Sequence, residues 1–330
     1  MAGGKLQRAR ALGEEFLGLA RQQPDPLFLL HGHRMVGNIA LWQGELVEAQ
    51  AHVQEGLTHY DPEQHRAHAV HYSQDSGVSC SVMRALILWM LGYPDQARQG
   101  MEETLVLARG LGHPFTLAQM LFWSALLYQL RREPQVALAQ VEEALALCTE
   151  QGFGVYLTFG MVLRGWALAA QGQWAEGIAQ IREGFAAFRA TGAGVFWPWF
   201  LALLADACSQ AGQIDEGQPA SEEALEALQT HEDRIYEAEV YRLKGELLLQ
   251  GAAAHQEKAE EHLQQALTTA RRQQAKSLEL RAAMSLARLW QHQDKRAAAY
   301  QLLAEIYGWF TEGFDTADLQ EAKALLEELV

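Results

Sequence analysis

The chain has 330 residues, with 26 Lys+Arg against 41 Asp+Glu, a formal charge of −15. That balance opposes nucleic-acid binding, which needs a basic stripe to neutralise phosphate; Arg131-Arg132 and Arg271-Arg272 read as solvated helix ends. No apolar run reaches the roughly 18 residues of a membrane span, the start Met-Ala-Gly-Gly-Lys lacks a hydrophobic signal region, and Cys80, Cys148 and Cys208 are far apart, so buried thiols in a reducing cytoplasm are expected.

Residues 5–22 read as the second helix of a preceding unit, making 1–25 a partial leading unit. Seven helical hairpins follow over 26–308. Their first helices are predicted over 27–43, 70–91, 114–130, 154–171, 195–211, 234–250 and 275–292. Their second helices are predicted over 45–59, 94–110, 134–151, 174–190, 215–230, 256–273 and 295–308. Apolar positions recur at helical spacing, with no alternating β-branched strand and no Asn-Gly hairpin. Pro94 and Pro134 follow inter-helix turns, and Pro114 and Pro198 lie near helix starts, where proline suits the first turn. A last helix over 316–329, N-capped by Asp315 or Thr316, makes 309–330 a C-terminal cap.

One pattern sets this organisation. A small residue stands at Ala49, Ala97, Ala137, Gly177, Gly217, Ala259 and Ala298, and eight places later comes Leu57, Leu105, Leu145, Phe185, Leu225, Leu267 or Ile306. The spacings are 48, 40, 40, 40, 42 and 39 residues. Gly44, Gly92, Gly172 and Gly212 lie five places before the small residue, and Gly37, Ala85, Ala125, Gly165 and Ala205 twelve before it. A fixed period of this size means stacked units, none able to bury its apolar face alone. The small positions of the two helices let them approach closely. The expected fold is all-α: a single right-handed superhelical solenoid of about seven antiparallel hairpins.

Small–twelve–small, with the glycine five before and the apolar residue eight after, resembles the tetratricopeptide repeat. Gly165-Trp166, Gly172, Gly177 and Gly184-Phe185 form a good instance. The standard unit is 34 residues and usually ends in proline; these units are near 40 and lack it, which resembles the long-helix variety of bacterial signalling ATPases and transcription regulators. Longer segments carry a closer resemblance: Asp75-Ser76-Gly77-Val78, Leu91-Gly92-Tyr93-Pro94-Asp95-Gln96-Ala97, Tyr236-Glu237-Ala238-Glu239, Tyr241-Arg242-Leu243-Lys244-Gly245-Glu246 and Tyr307-Gly308-Trp309-Phe310. Together they resemble the C-terminal repeat region of bacterial proteins that join a class III adenylate/guanylate cyclase to an AAA-like signalling ATPase. That resemblance implies a sensor region whose ATPase and cyclase domains belong to the same polypeptide. No GxxxxGK[ST] phosphate loop occurs in this chain, so neither activity carries over to any of its residues.

Histidines gather early, and His65, His68 and His71 are spaced i, i+3, i+6 with Asp75 beyond. A zinc site needs four good ligands and no cysteine pair supplies them, so no metal and no cofactor is expected. The segment 59–71 instead reads as a polar insertion within the 48-residue step. No HExxH, nucleophile elbow or paired-aspartate motif is present, so no catalytic residue is assigned. The inner face is the expected site, at positions −6, −3 and +1 from the small residue of each first helix. These positions place His31, Arg34, Asn38, Phe122, Phe159, Trp166, Trp199, Glu239, Arg242 and Glu246 toward a concave groove, alongside Asp206. Aromatic and arginine side chains there suit a protein or peptide partner, with neither nucleic acid nor membrane engaged; Phe122, Phe159 and Trp166 read equally as packing between neighbouring helices. The expected function is a non-catalytic interaction and regulatory module. A free-standing adaptor and a helical receptor enclosing a small ligand are the alternatives.

Overall fold

The computed structural model describes residues 6–23, 25–63, 74–251 and 255–330. It is a tetratricopeptide-like α-solenoid. A leading helix α1 (Leu6–Ala20) precedes seven hairpins: α2 (Pro26–Trp42) with α3 (Leu46–Thr58), α4 (Ser76–Met90) with α5 (Pro94–Leu111), α6 (Pro114–Leu130) with α7 (Pro134–Gln151), α8 (Gly154–Ala170) with α9 (Trp174–Ala190), α10 (Trp197–Gln210) with α11 (Ile214–His231), α12 (Glu237–Gln250) with α13 (Gln256–Gln273), and α14 (Lys276–His292) with α15 (Arg296–Tyr307). Helix α16 (Ala317–Leu329) closes the array. No described helix is long and apolar enough to cross a membrane.

The hairpins pack through their small residues. At the crossing of α8 and α9, a Cβ on Gly165 would sit 2.6 Å from the Gly177 carbonyl oxygen. One on Gly177 would sit 2.5 Å from the Gly165 oxygen, so the two backbones touch. Ala49, Ala97, Ala137 and Ala259 fill the same place and are fully buried. From each small residue, burial recurs four and seven places on, as in Ala137, Val141 and Ala144. This puts one stripe of the second helix against its partner.

The seventh unit departs from the predicted register. Ala298 is exposed, and the buried series is Ala299, Leu303 and Ile306. The small position therefore lies one residue later than its spacing suggested. The turn confirms the shift, because among the described residues the one five before the small position takes a left-handed backbone: Gly172 at φ +86°, Arg132 at +61°, and Asp294 at +60°, which is five before Ala299. Other helices start later than the pattern implies. Helix α10 begins at Trp197 because Phe196 is left-handed at φ +80°. Helix α12 begins at Glu237, and α4 at Ser76, where the Asp75 carboxylate accepts the Val78 N–H at 2.8 Å.

The array completes a turn and meets itself. The Arg234 N–H donates to the Trp42 carbonyl at 2.8 Å, joining the first hairpin to the loop that leads into the sixth. The Ser277 hydroxyl donates to the Trp89 carbonyl, joining the second to the seventh. The Glu312 carboxylate accepts the Asp95 and Gln96 N–H groups at 2.9 and 3.0 Å, capping the first turn of α5 from beyond α15. Gly92 has φ +95°, and a Cβ there would meet the Trp309 ring at 2.5 Å. This turn therefore needs glycine both for its backbone and for the seam.

Candidate functional site

The inner face divides into a filled end and a hollow end. The filled end is aromatic and centres on Phe196. Its ring centroid lies 4.6 Å from Trp42, 4.8 Å from Phe159, 5.8 Å from Trp199 and 6.2 Å from Phe122. The Phe196 N–H donates to Asp233 Oδ2 at 3.0 Å, which pins the left-handed residue in place. Burial pushes the Asp233 carboxyl up to about 6. Phe122, Phe159 and Trp199 were placed toward the groove by their spacing. The structure places all three in this buried cluster, so they shape the site from behind. Each packs edge or face against rings of other units, which makes this end a solid core.

The hollow end is a cavity of about 380 Å³ bordered by the third to seventh hairpins and α16. Trp166, Glu239, Arg242 and Glu246 line it, as does Asp206. The charged groups form a ladder. Arg242 holds Glu239 through Nε at 2.9 Å and a terminal nitrogen at 2.7 Å, and holds Glu246 at 2.6 Å. Ser285 donates to Glu246 at 2.6 Å. Arg281 pairs with Asp318 at 2.8 Å, and Arg132 pairs with Asp318 at 3.2 Å and Glu321 at 2.7 Å. Burial works to raise the Glu239 carboxyl, and the charge and hydrogen bonds of Arg242 outweigh it, holding that group at about 2.

His31, Arg34 and Asn38 lie apart from this cavity. His31 is buried with its Nδ1 2.8 Å from the Ser76 hydroxyl. Asn38 accepts from the Trp42 indole at 3.2 Å and donates to Met83 Sδ at 3.2 Å. Arg34 lies beside Cys80, and burial lowers its guanidinium. The ten predicted residues therefore fall in three places rather than along one groove.

Arg281, Met284 and Arg288 also line the cavity. The spacing could have found them. Counted from Ala287, twelve before Ala299, they occupy positions −6, −3 and +1. The one-residue slip in the seventh unit hid them.

His65, His68 and His71 lie outside the described residues. Among the described residues, no three His, Cys, Asp or Glu side chains are grouped to hold a metal. His33 and His52 do meet, Nδ1 to Nδ1 at 3.2 Å, with the His59 ring 6.3 Å from His33. Burial, then the charge of His52, pushes His33 down to about 4; burial lowers His52 as well. A lowered imidazole contributes stability above its ordinary value of about 6.5, and that contribution is lost as pH falls toward the folded value. The Tm should therefore drop between pH 6.5 and 4, and His33→Gln should flatten that slope. An unaltered slope in calorimetric scans of the variant would remove this pair as the cause.

No protein-family model matches the sequence, and no curated protein matches it. Solved structures do match the fold. NprR in complex with its cognate peptide NprX aligns with TM-score 0.63 at 12% identity, covering 98% of this chain and 92% of that one. The Rap conjugation gene regulator of plasmid pLS20, in complex with a Phr peptide, aligns with TM-score 0.62 at 11% identity, covering 92% and 75%. A signal-transduction ATPase with a tetratricopeptide repeat sensor from Pyrococcus horikoshii aligns with TM-score 0.52 at 13% identity, covering 98% of this chain and 49% of that one. At these identities the likeness establishes the fold.

Proposed function

We propose that the chain is a non-catalytic regulatory module that takes a protein segment or peptide at the hollow end of its inner face. The observation that carries this reading is the cavity of about 380 Å³ where charged side chains of several hairpins converge. That size falls within the roughly 300–1,000 Å³ of ligand pockets. Peptide-bound regulators of the same fold support it. The resemblance of the sequence to cyclase–ATPase repeat regions, together with the fold of the archaeal ATPase sensor, supports a finer reading. In it the chain is the sensor region of a bacterial cytoplasmic signalling protein, and its contacts bias an ATPase and cyclase on the same polypeptide.

A peptide-array screen tests the site. Peptides captured by the wild type should be lost by Arg242→Glu at unchanged helicity. Capture that ignores Arg242→Glu would move the site elsewhere. The closed superhelical turn favours a second reading, a small ligand enclosed by the ring. Calorimetric titration with a metabolite collection would support that reading if single compounds bind while peptides do not.

A further inference from the structure

We propose that His33 and His52 form a two-histidine site for a borderline divalent ion such as zinc, bridging the two helices of the first hairpin. It lies apart from the hollow end, whose lining includes no residue of α2 or α3. His33 stands on α2 and His52 on α3, and their Nδ1 atoms are 3.2 Å apart. Two nitrogens that each lie about 2.0–2.1 Å from zinc, at the tetrahedral angle, stand about 3.3–3.4 Å from one another. The pair is therefore spaced to share one ion after a small turn of each ring.

The backbone holds this spacing. A Cβ on Gly56 of α3 would lie 3.1 Å from the His33 Cβ, and one on Gly37 of α2 would lie 3.2 Å from the His52 Cβ. The two glycines let the helices approach until the rings meet, with centroids 5.2 Å apart. In the metal-free pair one Nδ1 carries a proton and donates to the other. When the ion binds, that ring carries its proton on Nε2 instead. Both imidazoles stay neutral, and both Nδ1 lone pairs face the ion. Imidazole suits zinc, copper and nickel, whereas magnesium takes oxygen ligands.

The surrounding charge favours a cation. Glu55 and Arg21 act on His33, and Glu48, Glu14, Arg10 and Arg21 act on His52. Arg10 is itself paired with Glu14, Glu45 and Glu48. His52 is half-buried, so the pair is reached from solvent. Among the described residues no third ligand joins the two histidines, and water completes the tetrahedron.

Thermal melts of the full chain in zinc chloride test the site, with magnesium chloride as the hard-cation control. At zinc roughly ten to a hundred times its Kd, the Tm should rise by about 2–4 °C, and EDTA should reverse the rise. Magnesium should give none. His33→Gln and His52→Gln should each remove the zinc-dependent rise, whatever either does to the Tm in EDTA. That difference separates a ligand from a packing residue. The triple variant His65→Gln, His68→Gln, His71→Gln should keep the rise, which separates the pair from the histidines of the polar insertion. The pH dependence of the Tm belongs to the metal-free pair and is measured with EDTA present.

A wild type indifferent to zinc, a rise that survives His33→Gln or His52→Gln, or a rise lost in the triple variant overturns the assignment. The peptide reading of the hollow end stands or falls separately, on Arg242→Glu.

Discussion

Replacing Arg281 with methionine should cost about 3–5 kcal/mol of stability, the range for removing one partner of a buried ion pair. The side chain is 9% exposed and ties three parts of the turn together. Its Nε reaches Asp318 at 2.8 Å, a terminal nitrogen donates to the Leu130 carbonyl, and another lies 3.7 Å from Glu239. Its guanidinium carbon stands 5.1 Å from the Trp89 ring. Methionine keeps the volume and removes the charge, leaving Asp318 and Glu239 without it and the Leu130 carbonyl without its donor. Adding Asp318→Leu to the variant should recover part of the loss, because the carboxylate that loses Arg281 goes with it, while Arg132 keeps Glu321 as a partner. Arg98→Ala, at an exposed i, i+4 pair with Glu102, should change stability by less than about 1 kcal/mol. Urea unfolding is the measurement, and an Arg281→Met midpoint equal to wild type would sink the claim. The carboxylate side has its own pH signature. Glu239 is held at about 2, so its contribution is present above the ordinary carboxylate value of about 4.3 and is lost as pH falls from there toward 2.

Gly177→Val should be the most damaging packing change in the repeats. The new Cβ would lie 2.5 Å from the Gly165 oxygen and 2.7 Å from the Ala169 nitrogen, both backbone atoms that cannot rotate away. Inserting carbon into a packed core typically costs about 1–3 kcal/mol, and a backbone-to-backbone contact belongs at the top of that range or above it. The comparison is Gly18→Ala in α1, where no atom lies within 4 Å of the added carbon. Helix propensity alone acts there and should stabilise by up to about 1 kcal/mol. Thermal melts of both variants should move in opposite directions. If Gly177→Val melts with the wild type, the close approach of α8 and α9 does not hold in solution.

Much of the fold is legible in the sequence because each unit repeats one packing decision. A small residue at 137 or 177 admits the neighbouring helix, and burial four and seven places later follows from helical geometry. The site is legible only in part. Spacing alone identifies residues that point inward, and Glu239, Arg242 and Glu246 do line the cavity. It cannot tell an inward residue that meets space from one that meets another unit. Phe122, Phe159 and Trp199 meet Phe196, which lies between helices and outside the repeat pattern. Asp233, which fixes that residue, is likewise a loop position. The contacts between the first and sixth hairpins depend on accumulated superhelical twist. No single unit encodes that twist.

The capping of α5 by Glu312 changes the folding problem this chain faces. In an open array each unit leans only on its neighbours, so folding can begin anywhere and spread. Here the N–H groups of Asp95 and Gln96 are satisfied by a side chain more than 200 positions later. Lengthening a closing loop adds little thermodynamic cost, about 0.6 kcal/mol for each doubling, but such non-local pairing is slow to form. An emerging chain can stack its early hairpins in order, yet the second one stays incomplete until Glu312 has left the ribosome. The seam turns a row of semi-independent parts into a structure whose beginning waits for its end.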